Sequence, residues 1–204
     1  MWNHLPRTVV AVAAFLTVSV EPKAVSDAGD AAIATPPAVE LVDMPADFAA
    51  AATWAMDLFH EAGFELPPLR YVFHGENAEP CSGRLGLQHL VDRVNVIELC
   101  TSEMSFPTQV RILHETAHAW VDHALTDDRK AAFQHVRGWT YWRNYELAPW
   151  HENGTEQAAE IMVWGLIDRP LAIVQINQNS CDELDAGYRA LTGQAPLHGF
   201  RDAC

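Results

Sequence analysis

The most regular hydrophobic pattern in the chain lies between residues 105 and 124. Its apolar residues recur at intervals of three and four positions, which is typical of one buried face of an α-helix: Val110, Leu113, Ala117 and Val121. Ser105 or Thr108 is expected to cap the first turn, because a hydroxyl oxygen accepts a hydrogen bond from the free backbone amides there. The pattern therefore predicts a helix that ends at His123 or Ala124.

Other segments predict three more helices and three strands. The helical segments are residues 47–62, 155–166 and 184–192. The strands are short apolar runs bounded by Gly, Pro and polar residues, at residues 69–73, 87–90 and 94–100. This mixture predicts an α+β fold. The imperfect alternation in the last strand indicates that one of its faces packs on helices.

Residues 125–150 have the weakest periodicity and are rich in aromatic side chains: Trp139, Tyr141, Trp142, Tyr145 and Trp150. Two interpretations stay open for each of them, core packing over the 105–124 helix and a wall that faces a substrate. Core packing is favoured because aromatic side chains bury large apolar areas.

The N-terminus has the features of an export signal. A weakly positive start is followed by an apolar run, Thr8–Val20, and then by the small residues of Ala24-Val25-Ser26. We predict a signal peptide at residues 1–26, a flexible linker at 27–44 and a single folded domain at 45–204. The alternative is an uncleaved segment that anchors the chain to a membrane.

Charge and composition narrow the range of partners. Of the 204 residues, 49% are hydrophobic and 20% charged, which is typical of a globular protein. The net charge of −14 argues against nucleic acid as a partner, because binding to phosphates requires positive charge. It mildly favours basic or neutral substrates. The sequence leaves the oligomeric state open.

The four cysteines support export. They allow three pairings, and we predict Cys81–Cys100 and Cys181–Cys204 because each of these bridges closes a short loop. No two cysteines have the Cys-x-x-Cys spacing of a zinc site. Disulfides form in oxidising compartments, so a secreted, extracellular protein is expected.

The 105–124 helix carries the sequence His-Glu-Thr-Ala-His. Residues four apart lie on the same helix face, so His114 and His118 can present two imidazoles to one metal ion. A zinc ion held there acidifies water, and Glu115 is placed to take the proton. The alternative is a solvated helix face that carries these residues by chance. The apolar stripe argues against it, because buried His and Glu need partners.

A catalytic zinc site usually has three protein ligands and one open position. Glu152, Glu156 and Glu160 recur every four residues, so all three are candidates for the third ligand if they share one helical face. The spacing alone leaves the choice among them open, and each is equally consistent with an exposed carboxylate.

The motif HETAH, followed by Glu-Gln-Ala-Ala-Glu at residues 156–160, resembles the gluzincin branch of the zincin metallopeptidases. The resemblance spans roughly residues 45–168. It implies a zincin-like fold, a small twisted β-sheet packed on an active-site helix and on a second, ligand-bearing helix. It also implies one Zn²⁺ per chain with these residues around it: His114, His118 and Glu156 as ligands, Glu115 as the general base, and Glu160 as an acceptor that holds one His ring.

Two departures from the family pattern matter. Glu160 stands where many relatives have Asp, and no Gly-x-x-His follows the motif, which argues against the metzincin branch. The family also has a His or Tyr that stabilises the transition state, and spacing does not identify it here. The candidates are Tyr141, Tyr145, His135 and His151.

The sequence thus predicts a zinc-dependent peptidase that acts on a peptide or protein substrate. If strand 94–99 forms the sheet edge beside the cleft, it would pair with the backbone of an extended substrate. Two alternatives remain. One is a non-catalytic zinc-binding module for adhesion or regulation, and the other is a zinc amidase acting on cell-wall peptides or small-molecule amides.

Overall fold

The computed structural model describes residues 39–76, 78–171, 176, 179–201 and 204. The predicted signal peptide, residues 1–26, and most of the predicted linker lie outside the described residues. All described residues fall within one compact unit, residues 35–204.

Four strands form one mixed sheet: β1 (Val39–Val42), β2 (Leu69–Phe73), β3 (Gly86–Val91) and β4 (Val94–Leu99). Their order is β1-β2-β4-β3. The first three strands in that order are parallel, whereas β3 runs antiparallel to β4. Among the described strands, β3 therefore forms one edge of the sheet.

Five α-helices accompany the sheet in the described part of the chain: α1 (Ala46–Glu61), α2 (Phe106–Ala124), α3 (Asp127–Arg137), α4 (Gly154–Leu166) and α5 (Cys181–Thr192). α2 begins as predicted, because the Ser105 side chain accepts a hydrogen bond from the Thr108 amide. α5 begins three residues before the start of the helix predicted at residues 184–192, after a capping box formed by Ser180 and Glu183.

The sheet packs on α2 through its inward-facing side chains. Tyr71 on β2 is fully buried, and its hydroxyl lies 2.9 Å from Oγ1 of Thr116 on α2. Because Thr116 donates its own proton to the Ile112 carbonyl, Tyr71 is the donor. This bond fixes the position of α2 relative to the sheet, close to the His-Glu-Thr-Ala-His sequence.

α4 lies in the centre of the helical layer, and every one of its 13 residues is buried. It approaches α5 very closely at Gly165, where an added Cβ would lie 2.1 Å from the Tyr188 ring. Only a glycine leaves room for that ring. The position of α4 is therefore fixed on one side by α5 and on the other by α2.

The structure confirms the predicted disulfides, Cys81–Cys100 and Cys181–Cys204. The first joins the loop before β3 to the end of β4. Two disulfides indicate an oxidising environment outside the cytosol. Within the described residues, no helix has both the length and the hydropathy needed to cross a bilayer.

The fold differs from what the sequence indicated in three places. The predicted linker extends too far, because Val39–Val42 pair with β2 as strand β1. Strand 94–99 is not the sheet edge, since β4 lies between β2 and β3. Helix α3 was missed, because its sequence is largely polar and buries only Phe133 and Arg137.

Candidate metal centre

Three side chains from α2 and α4 converge on one point. Nε2 of His114 lies 3.0 Å from Nε2 of His118, and Oε2 of Glu156 lies 3.2 Å and 3.1 Å from these two atoms. Zinc bonds of about 2.0–2.1 Å in a tetrahedron place neighbouring ligand atoms about 3.3 Å apart. The three distances therefore match the spacing that a single metal ion requires.

The helices bring these ligands together by simple geometry. His114 and His118 are one turn apart on α2, so their rings lie on the same face. Glu156 lies in the first turn of α4, which crosses that face. The exposed fractions of His114, His118 and Glu156 are 3%, 6% and 6%. Each of the two helices also has a fully buried alanine close to these residues in sequence, Ala117 on α2 and Ala159 on α4, and such small side chains leave room for close packing. This buried group can hold a metal ion.

The cluster is held together by opposite charges. Burial by itself would lower the pKa of His114, but the hydrogen bond to Glu156 and the nearby carboxylates of Glu160 and Glu115 outweigh burial and raise that pKa to about 10. Burial would raise the pKa of Glu156, yet hydrogen bonds to both His rings and their charge hold it far below its usual range. In the metal-free site, these opposite shifts favour an ion pair between a protonated His114 and an ionised Glu156.

The far side of each imidazole also has a neighbour. Nδ1 of His114 lies 3.0 Å from Oε1 of Glu160, although in a direction that does not give a well-aligned hydrogen bond. Nδ1 of His118 lies 3.3 Å from Oγ1 of Thr155. Such neighbours restrain the orientation of a ligand ring. Glu160 therefore lies where the resemblance places it, and its role in holding the ring stays a prediction.

Tyr145 reaches the cluster from the loop between α3 and α4. Its hydroxyl donates a 2.5 Å hydrogen bond to Oε1 of Glu156, the oxygen that does not face the His rings. Although Tyr145 is 53% exposed, partial burial together with the hydrogen bond to Glu156 and its negative charge raises the pKa of Tyr145, while Arg143 and Arg84 act in the opposite direction. Tyr145 thus stays protonated and holds the Glu156 carboxylate in position.

Asn153, which is fully buried, organises this loop. Its side chain accepts a 2.7 Å hydrogen bond from the Asn144 amide and donates to the carbonyls of Ala148 and Pro149. One residue later, α4 begins, and its first amides donate to loop carbonyls at residues 141 and 142. The loop that carries Tyr145 and the start of the helix that carries Glu156 therefore form one hydrogen-bonded unit.

Trp150, at the end of the same loop, covers one of the metal-site rings. Its ring is close to parallel with that of His114, at 24°, with centroids 6.0 Å apart. It also packs against the hydrophobic core. The indole therefore shields one side of His114 from water.

The cluster opens into a cavity of about 740 Å³, within the range of ligand-binding pockets. Glu115 lines this cavity together with His114, His118 and Glu156, and so do the first residues of the edge strand β3. At Gly86 the strand passes directly beside Glu115, since an added Cβ would lie 3.1 Å from Oε1 of Glu115. A molecule in the cavity therefore meets Glu115, the metal-site residues and β3 together.

The other predicted candidates lie elsewhere. Glu152 lies in a short 3-10 turn before α4 and pairs with His151, so it does not share a helical face with Glu156. Tyr141, His135 and His151 do not line the cavity. Of the four residues considered for transition-state stabilisation, the structure brings only Tyr145 to the metal-site residues.

Sequence reasoning missed Thr155, Asn153 and the stacking of Trp150 on His114. Thr155 immediately precedes Glu156, and Asn153 stands at the start of a helix, where Asn is common. These positions, at and before the start of the predicted helix, were the only signals in the sequence that could have drawn attention to Thr155 and Asn153. The contacts themselves depend on how the loop folds back over α2, which no local pattern specifies.

A scan against models of known protein families found no match to this chain. Searches of curated proteins and of solved structures also found none.

Proposed function

We propose that this chain is a zinc-dependent peptidase. The observation that carries the proposal is the convergence of His114, His118 and Glu156 on one point beside Glu115, in a cavity bordered by an edge strand. A purely structural metal site would need no free carboxylate and no cavity next to it.

Zinc fits the donor set best among the common metal ions. Two imidazoles and one carboxylate are typical of catalytic zinc sites, which leave a fourth position open. Calcium and magnesium prefer sites built from oxygen atoms alone. When bound, zinc supplies a Lewis acid that polarises a carbonyl group and lowers the pKa of water.

Glu115 would act as the general base. It follows His114 directly on α2 and is 5% exposed, so its carboxylate faces the cavity and not bulk solvent. In the proposed reaction it takes a proton from the attacking water and delivers that proton to the departing amine.

Tyr145 would help to stabilise the oxyanion that forms during attack. Its hydroxyl already donates to Glu156, so it lies next to the reacting position and stays protonated. In this role the hydroxyl would exchange its bond to Glu156 for a bond to the substrate oxygen.

The edge strand β3 would bind the substrate backbone. One side of β3 pairs with β4, and residues 86–88 also line the cavity. An exposed strand edge can pair with an extended peptide through main-chain hydrogen bonds. This arrangement favours a peptide over a compact small molecule as the substrate.

The Glu115→Gln variant tests the proposal. It keeps the size of the side chain and removes the base, so hydrolysis of a quenched-fluorescent peptide library should fall by roughly 10²–10⁴-fold. Zinc content, measured by elemental analysis, should stay at one per chain. Glu61→Gln, an exposed position at the end of α1, is the matched control and should keep full activity.

Two outcomes would contradict the proposal. If Glu115→Gln hydrolyses peptides as fast as the wild type while both hold zinc, then Glu115 is not the base. If the zinc-loaded wild type cleaves no peptide, a non-catalytic zinc-binding module becomes the better interpretation.

A further inference from the structure

The charge of the cavity differs from the charge of the chain. The chain has 27 acidic and 13 basic residues. Nevertheless, three arginines line the cavity, Arg84, Arg111 and Arg143, against two carboxylates, Glu115 and Glu156. Glu156 faces the two His rings of the metal site, so positive charge predominates in this cavity even though the molecule as a whole is negative.

The three arginines are not equivalent. Arg143 donates to both carboxylate oxygens of Asp122, at 2.8 Å and 3.0 Å, so its charge is already balanced. In the part of the chain that the structure describes, Arg84 and Arg111 make no ion pair and no side-chain hydrogen bond. An arginine without a carboxylate partner beside a cavity is available to a ligand.

Both available arginines lie along the path proposed for the substrate. Arg111 lies one turn before His114 on α2, and its Cγ would be 3.4 Å from a Cβ placed on Gly86. Arg84 lies two residues before Gly86, where the chain enters β3. A peptide paired with β3 would therefore pass next to both guanidinium groups.

We propose that the cavity selects substrates with a carboxylate group close to the bond that is cleaved, and that Arg84 and Arg111 bind this carboxylate. This inference rests on the proposed peptidase function. A guanidinium group binds a carboxylate through paired hydrogen bonds, which gives orientation as well as affinity. The carboxylate belongs either to an acidic side chain or to the C-terminus of the peptide.

The proposed selectivity is the opposite of what the net charge alone would favour. A charge of −14 mildly favours basic or neutral substrates at long range. Salt screens that effect beyond about 10 Å, whereas a guanidinium in contact with a carboxylate is screened much less. The local arrangement should therefore determine which substrates are preferred.

Binding to an inactive variant tests the inference without requiring turnover. The protein is zinc-loaded Glu115→Gln, and the probes are fluorescein-labelled peptides that carry either Glu or Gln at one position, each made with a free C-terminus and with a C-terminal amide. In one of the two matched pairs, fluorescence polarisation should show that the peptide with the carboxylate binds about tenfold more tightly than its neutral counterpart. A preference for Glu would identify the source as a side chain, and a preference for the free acid would identify it as the C-terminus.

Arginine variants in the same background identify the binding groups. Arg84→Gln and Arg111→Gln should each reduce the preference to roughly threefold or less. Arg70→Gln removes an equal charge on the opposite face of the sheet, where Arg70 pairs with Glu40, and should leave the preference unchanged. Zinc content, measured for each variant, shows that the site is intact.

The outcomes separate this inference from the peptidase proposal. If acidic and neutral probes bind equally, the selectivity is wrong even if the wild type cleaves both. If the preference survives both substitutions, the metal itself takes the carboxylate, and the assignment to arginine is wrong. If the wild type cleaves no peptide and the binding preference still depends on the arginines, the carboxylate-binding site is supported and the peptidase proposal is wrong.

Discussion

His114 lies between two carboxylates, and this position sets the acid–base behaviour of the whole site. Glu156 faces its Nε2 and Glu160 its Nδ1. Although burial opposes a charge on the ring, the carboxylates raise the pKa of His114 to about 10. A metal ion must therefore displace a proton from His114 before it can bind Nε2.

We expect zinc binding to release close to one proton from His114 at pH 8.5. The sign follows from the raised pKa: in the metal-free protein His114 should keep its proton at a pH where an ordinary imidazole has lost it, and a metal on Nε2 would displace that proton. The apparent zinc affinity should therefore rise up to about tenfold per pH unit toward pH 10. Calorimetry in buffers of different ionisation enthalpy measures the number of protons released.

The Glu160→Gln variant is the control, because water in the site can also lose a proton. It removes one of the charges that raise the pKa of His114 and leaves the three ligand side chains in place, so fewer protons should be released at pH 8.5. If proton release falls off at the same pH in both proteins, Glu160 does not set the proton affinity of His114.

Among single residues, the sequence pointed to those candidates whose positions relative to one another depend only on local spacing. His114, Glu115 and His118 follow from positions on one helix. Glu156 required the family resemblance, because three carboxylates at equal spacing were equally plausible. Thr155 depends on where α4 crosses α2, and that crossing depends on tertiary packing.

The helices and strands that have a strong periodicity of apolar residues were predicted from the sequence, and those that lack it were not. α1, α2, α4, β2 and β4 each bury most of a face, so their periodicity is visible in the sequence. β1 is Val-Glu-Leu-Val, and although three of its residues are apolar, a run of four is too short to show a periodicity that separates a strand from a linker. The order of the strands was missed as well, because pairing between distant segments leaves no local pattern.

The loop between α3 and α4 is the element whose structure depends most on one residue. Asn153→Ala would leave the Asn144 amide and the carbonyls of Ala148 and Pro149 without their present partner. We expect a loss of about 2–4 kcal/mol in the free energy of unfolding, measured by urea denaturation. Peptide hydrolysis should also fall, because the loop holds Tyr145 against Glu156.

Asn144→Ala is the matched control for this loop. The Asn144 side chain accepts one exposed bond from the Leu147 amide, so its loss should change stability by less than about 1 kcal/mol. Equal losses from the two variants would show that Asn153 has no special role.

For the molecule as a whole, the candidate metal site joins side chains from two helices that are distant in sequence. His114 and His118 belong to α2, and Glu156 belongs to α4, which in turn packs on α5. The unfolded chain does not hold these ligands together. A metal ion held by these three side chains would therefore bind the folded state preferentially and stabilise it by mass action.

We expect chelation of zinc to lower the melting temperature by about 5–10 °C. Free zinc at about 100 times its Kd contributes about 2.7 kcal/mol, and about 1 kcal/mol shifts the melting temperature of a domain of this size by about 2–4 °C. Differential scanning fluorimetry with and without EDTA measures the shift. The disulfides should hold the metal-free protein in a folded state, because they restrict the unfolded chain independently of the metal.

Two variants show whether this shift comes from the proposed site. Glu115→Gln retains all three ligands, so EDTA should shift its melting temperature as much as that of the wild type. His118→Ala lacks a ligand, and EDTA should leave its melting temperature unchanged even if the variant is less stable from the start. An equal shift in His118→Ala would mean that zinc stabilises the fold at another position, and the connection between α2 and α4 would then not depend on the metal.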